Sequence, residues 1–314
     1  MHITLRQLRA IAALHRHGSV TRAAGELNVS PPAVTLQVKA LEDQLGIALV
    51  ERSAGGMVLT QGGMVIADAS TRIEAVLRES EARLAAIVGA ERGEVQVGII
   101  STAKYYAPRA LAAFSRAHPG IDLRLTVGNR DEIIEGLVHH VVDLAIMGRP
   151  PTELKVIADE IGDHPHVVVA PPDHRLATAR DIAPNELNNE VMLVREAGSG
   201  TRRLMEFYCE EAGITPRIGM EIGSNETIKQ SVMAGLGISF ISAHTIDAEV
   251  QDGRLVVLDI TGLPIIRQWF AVHLTERAMM PASAALLGFL REQGGSFLPH
   301  AAIESLKRSS SLAL

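Results

Sequence analysis

Hydroxyl, amide and positively charged side chains follow several predicted strands in the C-terminal two-thirds of the chain, at points where helices begin. Lys104 follows the strand predicted at 95–100, and Thr201 and Arg202 follow the strand predicted at 191–194. Unpaired amides at a helix start attract anions, and lysine and arginine pair with carboxylates and phosphates. The spacing therefore predicts a site for a small anion, to which we assign Ser101, Thr102, Lys104, Asn129, Arg149, Gly200, Thr201, Arg202, Asn225 and Thr227.

The run from Gly198 to Thr201 is the most notable of these helix starts, although it is a weak motif by itself. Its glycines permit close approach of a ligand to the backbone, Thr201 is predicted to cap the helix, and Arg202 is predicted to add positive charge. A simple capped turn accounts for the same residues equally well. The lysine and the spacing of a phosphate-binding P-loop are absent from the sequence.

Residue types that serve in catalysis are present, but no catalytic pattern joins them. The chain has 12 histidines and one cysteine, Cys209. His139 and His140 are predicted at the end of a helix, and His164 and His166 flank a proline, where structural roles are commoner than catalytic ones. Neither HExxH nor GxSxG occurs, and no residue set has metal-ligand spacing. An enzyme that uses a C-terminal cleft is therefore a remote alternative.

Composition excludes several other classes of protein. The 314 residues carry a formal charge of −6, and 47% are hydrophobic and 21% charged, which is typical of a globular chain with two or three domains. A single cysteine cannot form an internal disulfide, and the first residues lack the pattern of a secretory signal. No run approaches the ~20 apolar residues of a membrane span. We therefore expect a cytoplasmic protein that contacts no membrane.

The negative charge is unevenly distributed along the chain. Residues 1–92 carry ten Lys and Arg against nine Asp and Glu, whereas residues 93–314 carry twenty against twenty-seven. The change falls at 89–93, where glycines bracket a charged pair and the hydrophobic period changes, which indicates a domain boundary. The acidity of the whole chain therefore does not exclude a nucleic-acid partner for the N-terminal segment.

The N-terminal segment has the periodicity of a helix-turn-helix. Apolar residues recur at steps of three and four from residue 5 to residue 14, and the stripe stops at Gly18. A short helix follows Ser19, a tight turn lies at 28–29, and Ser30 precedes a third helix that ends at Gly46. Two short helices around a tight turn match a helix-turn-helix, although any three-helix bundle could show this periodicity.

The outer face of the third predicted helix lacks the paired charges of an ordinary solvent face. Its hydroxyl, amide and methyl groups suit base edges and thymine methyls in a major groove, whereas Lys39 and Arg52 suit phosphates. The candidate DNA-binding residues are Thr21, Arg22, Ser30, Pro32, Thr35, Leu36, Gln37, Lys39 and Arg52.

One long helical pattern runs from about residue 60 to residue 89. Ile66, Ala69, Ile73, Val76 and Ser80 step alternately by three and four residues, as in the seam of a coiled coil. At 1.5 Å per residue such a helix reaches roughly 42 Å, too far to bury its seam on the small N-terminal domain alone. Packing against the C-terminal region is one alternative. Pairing with a second copy is favoured, because it also supplies two DNA-reading helices.

After residue 93, short apolar strands alternate with helices. Strands are predicted at 95–100, 121–127, 144–146, 167–170, 191–194, 218–222, 238–241 and 268–274, and helices at 108–117, 131–140, from 201, from 227 and at 281–293. This alternation predicts a parallel sheet with helices on both faces. Because the last strand and helix return to the first set, we expect two lobes joined by two crossings around a cleft that can hinge.

The N-terminal residues resemble those of the LysR-type transcriptional regulators. The resemblance rests on the runs at 19–24, 27–30, 32–34, 41–42, 45–46 and 49–52, together with Gln37. It implies a winged helix-turn-helix at 1–60 with its wing at 53–60, a dimerising linker helix at 61–92, and a two-lobed α/β effector domain at 93–300 like a periplasmic binding protein. Lobe I is expected at about 93–162 and 268–300, lobe II at about 163–267, and a flexible tail at 301–314. The sequence departs from the family pattern at Pro31, where glutamine is frequent, and in a wing without basic residues.

Four runs in the C-terminal segment resemble those LysR-type regulators that control RubisCO (Calvin cycle) operons. They are residues 101–109, 145–150, 195–202 and 223–230. The resemblance implies double-stranded promoter DNA as a partner, a homodimer or homotetramer, RNA polymerase as a further candidate partner, and no prosthetic group. It also implies control of carbon-fixation genes by a small anionic effector such as a phosphorylated sugar, phosphoenolpyruvate or NADPH. A LysR-type regulator of a different metabolic operon is the alternative.

Overall fold

The computed structural model describes residues 3–53, 56–87 and 92–300. The chain forms two compact units, the first made of residues up to 84 together with 139–141 and the second of the remaining residues. Most of the predicted boundary at 89–93, and all of the predicted tail at 301–314, lie outside the described residues.

The first unit begins with the three helices that the apolar periodicity predicts: α1 Leu5–His17, α2 Val20–Glu26 and α3 Pro31–Leu45. The Gln7 amide donates to the Thr4 hydroxyl and the Thr4 amide donates to the Gln7 side chain, which defines the start of α1. Gly18 and Gly46, both in the left-handed conformation, end α1 and α3. The core between the helices includes Ile11, Leu14, Ala23, Val34, Val38 and Leu41.

A hairpin and a long helix complete the first unit. Strands β1 Val50–Ser53 and β2 Gly56–Leu59 pair antiparallel. The wing therefore begins at residue 50 rather than at the predicted residue 53, because residues 50–53 form the arm that pairs with residues 56–59. Residues 54–55 at its tip lie outside the described residues. The predicted linker helix is α4 Gln61–Ile87.

Strands and helices alternate in the second unit. The strands are β3 Gly93–Ile100, β4 Ile121–Gly128, β5 Leu144–Met147, β6 Val156–Ala170, β7 Val191–Arg195, β8 Arg217–Ile222, β9 Ser239–Ser242, β10 Val256–Val257 and β11 Ile265–Leu274. The helices are α5 Ala107–Ala117, α6 Arg130–Val138, α7 Gly200–Glu211, α8 Asn225–Met233, α9 Asp247–Gln251 and α10 Pro281–Gln293. The predicted fold class, a winged helix-turn-helix, a long helix and an α/β domain, is confirmed.

The sheet is mixed, whereas the sequence predicts a parallel sheet. β3 pairs in parallel with β4 and β5, and β7 pairs in parallel with β8. β11 runs antiparallel to β5 and β6, and β6 runs antiparallel to β9 and β10. The alternation of strands and helices predicts the relative direction of two strands only where both belong to the same β/α run. The mixed pairing arises because β6 and β11 carry the chain across and back in opposite directions.

The two crossing strands are longer than the sequence predicts. β6 begins at residue 156 rather than 167, and β11 begins at residue 265 rather than 268. They pair along their length, from Ile265 opposite His166 to Leu274 opposite Val156. The added part of β6 contains acidic residues and has exposed positions, so its apolar signal is weak, and backbone pairing with β11 is what makes it a strand.

The crossing strands connect two sets of elements, each with its own apolar core. Lobe I comprises β3–β5, α5, α6 and α10, and its core includes the buried side chains of Tyr106, Phe114 and Leu286. Lobe II comprises β7–β10 and α7–α9, and its core includes Met192 and Phe240. The single cysteine, a free thiol, is buried in the lobe II core.

A cluster of buried rings lies where the crossing strands pair. The rings of His164 on β6 and Trp269 on β11 stack with their centroids 3.7 Å apart, and Trp269 Nε1 donates to His244 Nδ1 at 3.0 Å. Burial lowers the pKa of His166 to about 3 and that of His244 to about 4. Burial and the neighbouring histidines hold the pKa of His164 well below its usual value. All three imidazoles are therefore neutral packing groups at neutral pH.

We expect the second unit to lose stability as the pH falls below about 6.5. A histidine whose pKa is lowered by folding takes up its proton first in the unfolded chain, so its contribution is complete above the unfolded pKa and decreases towards the folded pKa. For His166 alone the loss near pH 4.5 is about 2–3 kcal/mol. Urea unfolding at several pH values, followed by the fluorescence of Trp269, the single tryptophan, measures this dependence.

His166→Gln should flatten the pH dependence, because glutamine takes up no proton. His118→Gln, at a partly exposed position of the same unit, is the matched control and should leave the dependence unchanged. If the stability of His166→Gln fell as steeply with pH as that of the wild type, protonation of His166 would not be a cause of the pH dependence.

Candidate functional site

The predicted DNA-contacting residues lie on α2, on α3, in the turn between them and on β1. All of them are exposed except Gln37, which is half-buried. Leu36 is 65% exposed, whereas Val34 and Val38 on the same helix are buried. α3 therefore packs one face against the core of the first unit and presents to solvent the face with hydroxyl, amide and methyl groups.

The hydroxyls near the starts of α2 and α3 differ in whether a hydrogen bond within the chain already uses them. Ser30 occupies the N-cap position of α3, but its side chain makes no capping bond. The Thr35 hydroxyl donates to the Pro31 carbonyl at 3.2 Å, so its oxygen is available to a base edge only as an acceptor. Ser19, at the N-cap position of α2, likewise makes no side-chain capping bond.

Arg195, at the end of β7, is the central cation of the predicted anion site, and our assignment from the sequence omitted it. Its side chain is only 2% exposed. The guanidinium donates to Ser101 Oγ, after β3 of lobe I, at 3.1 Å and to Asn225 Oδ1, at the start of α8 in lobe II, at 2.5 Å. Two further hydrogen bonds of 2.7 Å reach the carboxylate of Glu196. One buried positive charge therefore joins two predicted residues from different lobes.

A second group of polar contacts joins the lobes through Glu226 of α8. The Tyr105 hydroxyl donates to Glu226 Oε1 at 2.5 Å, and Lys104 Nζ lies 4.0 Å from the same oxygen. Buried Lys229 pairs with Glu226 at 3.1 Å and with Glu249 at 3.0 Å. Burial, followed by the bond to Glu226, raises the pKa of Tyr105, so its phenol keeps its proton at neutral pH. Burial opposes ionisation of Glu226, but the bonds from Tyr105 and Lys229 outweigh it and lower the pKa of Glu226.

A third contact between the lobes involves α6 and α7. Arg203 Nη2 donates to both carboxylate oxygens of Asp131, at 2.7 and 2.8 Å. A Cβ atom at Gly198 would lie 3.1 Å from Asp131 Oδ2, and the backbone of Gly198 has φ of +85°. This glycine therefore allows the loop before α7 to approach α6 closely.

Two predicted roles at the start of α7 were wrong. Ser199 occupies the N-cap position, and Thr201 is a buried residue of the first turn, so Thr201 does not cap the helix. Arg202 does not add an uncompensated charge, because it pairs with Glu206 at 2.8 Å and with Glu221. These bonds raise the pKa of Arg202 and hold its guanidinium on lobe II.

The remaining predicted residues are less closely grouped. Asn129 Oδ1 accepts from the Glu132 amide at 3.0 Å and so caps α6. Thr102 is buried beside Ser101, Gly200 is half-buried, and Arg149 and Thr227 are exposed. Of the predicted residues, Ser101, Asn225 and Lys104 thus take part in, or lie beside, contacts between the lobes. An arginine that ends an otherwise apolar buried strand is the sequence signal that could have identified Arg195.

Two family comparisons account for both units. The family described as "Bacterial regulatory helix-turn-helix protein, lysR family" matches residues 5–64, and the family described as "LysR substrate binding domain" matches residues 89–295. The chain belongs to the LysR family. The match to the substrate-binding domain includes every element that contributes to the contacts around Arg195 and Glu226 in this LysR regulator.

Relatives are similar to this LysR regulator along nearly its whole length. The HTH-type transcriptional regulator CbbR of Xanthobacter flavus is 55% identical over 300 residues, which are 95% of this chain and 90% of that protein. The RuBisCO operon transcriptional regulator of Allochromatium vinosum is 45% identical, over 92% of this chain and 96% of that protein. The CcmR regulatory domain of Synechocystis PCC6803, solved in complex with 2-PG, has a TM-score of 0.62 and 35% identity, and the match covers 64% of this chain and 97% of that domain.

The family and these relatives show that this LysR regulator is a DNA-binding transcriptional regulator and not an enzyme. Among the described residues, no group of three or more His, Cys, Asp and Glu side chains could hold a metal ion. No helix within the described ranges is long and apolar enough to cross a membrane.

We expect Lys39→Ala to weaken DNA binding by a similar factor for the promoter fragment and for DNA of other sequences. A lysine that contacts a phosphate displaces a counterion, so its loss should lower the slope of log affinity against log salt by about one. Fluorescence anisotropy of a labelled promoter fragment at several salt concentrations measures both quantities. Lys155→Ala, whose side chain in the second unit is 82% exposed, is the control and should leave the slope unchanged. An unchanged slope in Lys39→Ala would place Lys39 away from the phosphates.

Proposed function

We propose that this LysR regulator binds the promoter of a RubisCO operon and that a small anionic metabolite, bound between its lobes, modulates this binding. The observation that carries the proposal is the buried guanidinium of Arg195, which side chains of both lobes contact. The operon is inferred from the relatives, one of which is named for the RuBisCO operon and is 45% identical. The site of action is the cytoplasm, where promoter DNA is accessible, and RNA polymerase stays a predicted partner.

The groups around Arg195 favour an anion with several acceptor oxygens. The guanidinium and the Ser101 hydroxyl are donors, and Asn225 Nδ2 is a buried donor without a partner among the described residues. Phosphate and carboxylate oxygens accept bidentate hydrogen bonds from arginine, which gives both strength and orientation. A phosphorylated sugar, phosphoenolpyruvate or a phosphate of NADPH has this chemistry. The complex of the CcmR regulatory domain with 2-PG supports a small effector at the corresponding domain of this chain.

Such a ligand can regulate the protein through the closure of its lobes. Ser101 follows β3 of lobe I, whereas Arg195 and Asn225 belong to lobe II, so an anion that contacts all three is bound most tightly when the lobes are close. A ligand shifts an equilibrium only by its difference in affinity for the two arrangements. We propose that the altered closure changes the spacing of the DNA-binding units in an oligomer and thereby changes promoter binding.

The exposed seam of α4 supports a homodimer or a homotetramer. Ile73 and Val76 of the seam are 40% and 59% exposed in the single chain, and Leu84, which continues the apolar stripe beyond the seam, is 62% exposed. Large apolar side chains in a row on one helix favour burial against another helix. The small excess of basic residues in residues 1–92, ten against nine, indicates modest attraction of one DNA-binding unit to phosphates. Several units acting together therefore supply the affinity.

We expect Val76→Glu to dissociate the oligomer, because the seam of a paired helix would then bury an unpaired charge. Light scattering after size-exclusion chromatography measures the mass in solution. Met64→Glu introduces the same charge at a 48% exposed position of α4 outside the predicted seam, and this control should keep the wild-type mass. A wild-type mass for Val76→Glu would place the contact between copies elsewhere.

Arg195→Gln should abolish the effect of the metabolite on promoter binding without weakening binding in its absence. Glutamine keeps some hydrogen bonding but loses the charge and the fork that recognise an anion. Fluorescence anisotropy of the promoter fragment, with and without phosphoenolpyruvate or a sugar bisphosphate, measures the response. Arg175→Gln removes an equal charge from a 50% exposed ion pair of the same unit and should keep the response. A full response in Arg195→Gln would exclude this site.

A further inference from the structure

Glu196 occupies the Nε–Nη2 edge of the Arg195 guanidinium, an edge that could also bind an external anion. Its Oε2 accepts from Nε of Arg195 and its Oε1 accepts from Nη2, both at 2.7 Å. Two parallel hydrogen bonds to one fork are the geometry with which arginine binds a free carboxylate or a phosphate. The chain therefore supplies a carboxylate of its own in the place that the proposed function assigns to the effector.

The two partners differ in how easily each can leave the pair. The side chain of Arg195 is 2% exposed and is also bonded to Ser101 and Asn225, so its position is set by both lobes. The side chain of Glu196 is 22% exposed, and both its oxygens bond only to Arg195 among the described residues. The carboxylate can thus turn out to solvent and be hydrated there, whereas the guanidinium stays in place.

A buried guanidinium without an anion is costly, because the charge has lost its hydration. Either Glu196 or a ligand must therefore satisfy it. Asn225 is 1% exposed, and its Nδ2 has no partner among the described residues while Glu196 is in place. The Glu196 carboxylate has two oxygens, and both accept hydrogen bonds from Nε and Nη2 of Arg195. A tetrahedral phosphate carries more oxygens and more charge than one carboxylate, so it can bind the Nε–Nη2 edge and still has oxygens for other donors of the cleft.

We propose that Glu196 is an internal competitor for the effector, which the phosphate group of the effector displaces from Arg195. The proposal rests on the proposed function, because it takes Arg195 as the anchor of the effector. Competition lowers the affinity of the site for every anion, and it disfavours simple carboxylates most, since they gain nothing over Glu196. Only an anion that satisfies more donors than Glu196 does replaces it at low concentration. Glu196 is thus a residue that determines specificity.

Phosphate binding to the full-length protein tests the proposal. Isothermal titration with inorganic phosphate, at an ionic strength kept constant with chloride, should give an affinity about tenfold higher for Glu196→Gln than for the wild type. Glu196→Ala, which removes the remaining hydrogen bonds as well, should change the affinity in the same direction. Glu186→Gln removes an equal charge from the ion pair with Arg175 in the same unit and should bind phosphate as the wild type does.

Equal affinity of the wild type and both Glu196 variants would overturn the proposal, as would weaker binding by the variants, since Glu196 would then position Arg195 instead of competing for it. Arg195→Gln separates this failure from failure of the proposed function. If phosphate binding is lost in Arg195→Gln but unchanged in Glu196→Gln, Arg195 does anchor the anion and only the proposed competition by Glu196 is wrong. If Arg195→Gln binds phosphate like the wild type, Arg195 does not anchor the anion, and the proposed competition by Glu196 is wrong as well.

Discussion

A guanidinium buried as deeply as that of Arg195 requires acceptors on every side, because the loss of its hydration is offset only by well-formed hydrogen bonds. Those acceptors come from separate parts of the domain: Ser101 after β3, Asn225 at the start of α8, and Glu196 after β7. The arrangement of the lobes around the cleft depends on this requirement. In the proposed function, exchange of the anion at Arg195 would change the free energy of bringing Ser101 and Asn225 together.

The contacts between the lobes and the contacts between the crossing strands differ in chemistry. Apart from the buried Arg195, the lobes meet through charged and hydroxyl groups nearer the surface, such as Tyr105 with Glu226 and Arg203 with Asp131, whose partners water can replace at modest cost. The crossing strands β6 and β11 pair along their length and enclose the neutral stack of His164 on Trp269. Such a dry cluster cannot open without loss of packing. Separation of the lobes would therefore cost less free energy than separation of the strands that join them.

The DNA-binding unit combines a reading surface that is largely uncharged with little net charge. Leu36, Thr35 and Gln37 on α3 are the predicted contacts to bases, and Arg22, Lys39 and Arg52 are the predicted contacts to phosphates. Direct contacts to bases give sequence discrimination, and phosphate contacts give most of the affinity. Because each unit is predicted to contact few phosphates, the affinity for DNA depends strongly on how many units bind it at the same time. In the proposed function, an effector that alters the spacing of these units would therefore have a large effect on promoter binding.

The sequence by itself determined the kinds of elements and most of their positions. The apolar steps of α1, the left-handed glycines after α1 and α3, and the alternation of Val95, Val97 and Ile99 in β3 are local signals, since side-chain periodicity follows directly from helix and strand geometry. The exposed face of α3 was predictable for the same reason. Residues 101 and 225 were predictable because helix starts after strands form the edge of an α/β sheet.

Only the tertiary structure decided the directions of the strands and the partners of the charges. The first half of β6 carries acidic residues and becomes a strand through its pairing with β11, which is distant in sequence. Arg202 is the cation that the sequence predicts for the site, but it pairs with Glu206 and Glu221 on lobe II alone. The more deeply buried Arg195 instead contacts residues 94 and 30 positions away, one from each lobe. Sequence spacing shows which residues carry charge. The energy of a buried charge depends on neighbours that only the folded chain brings together, and those neighbours make Arg195 the cation at the centre of the proposed anion site.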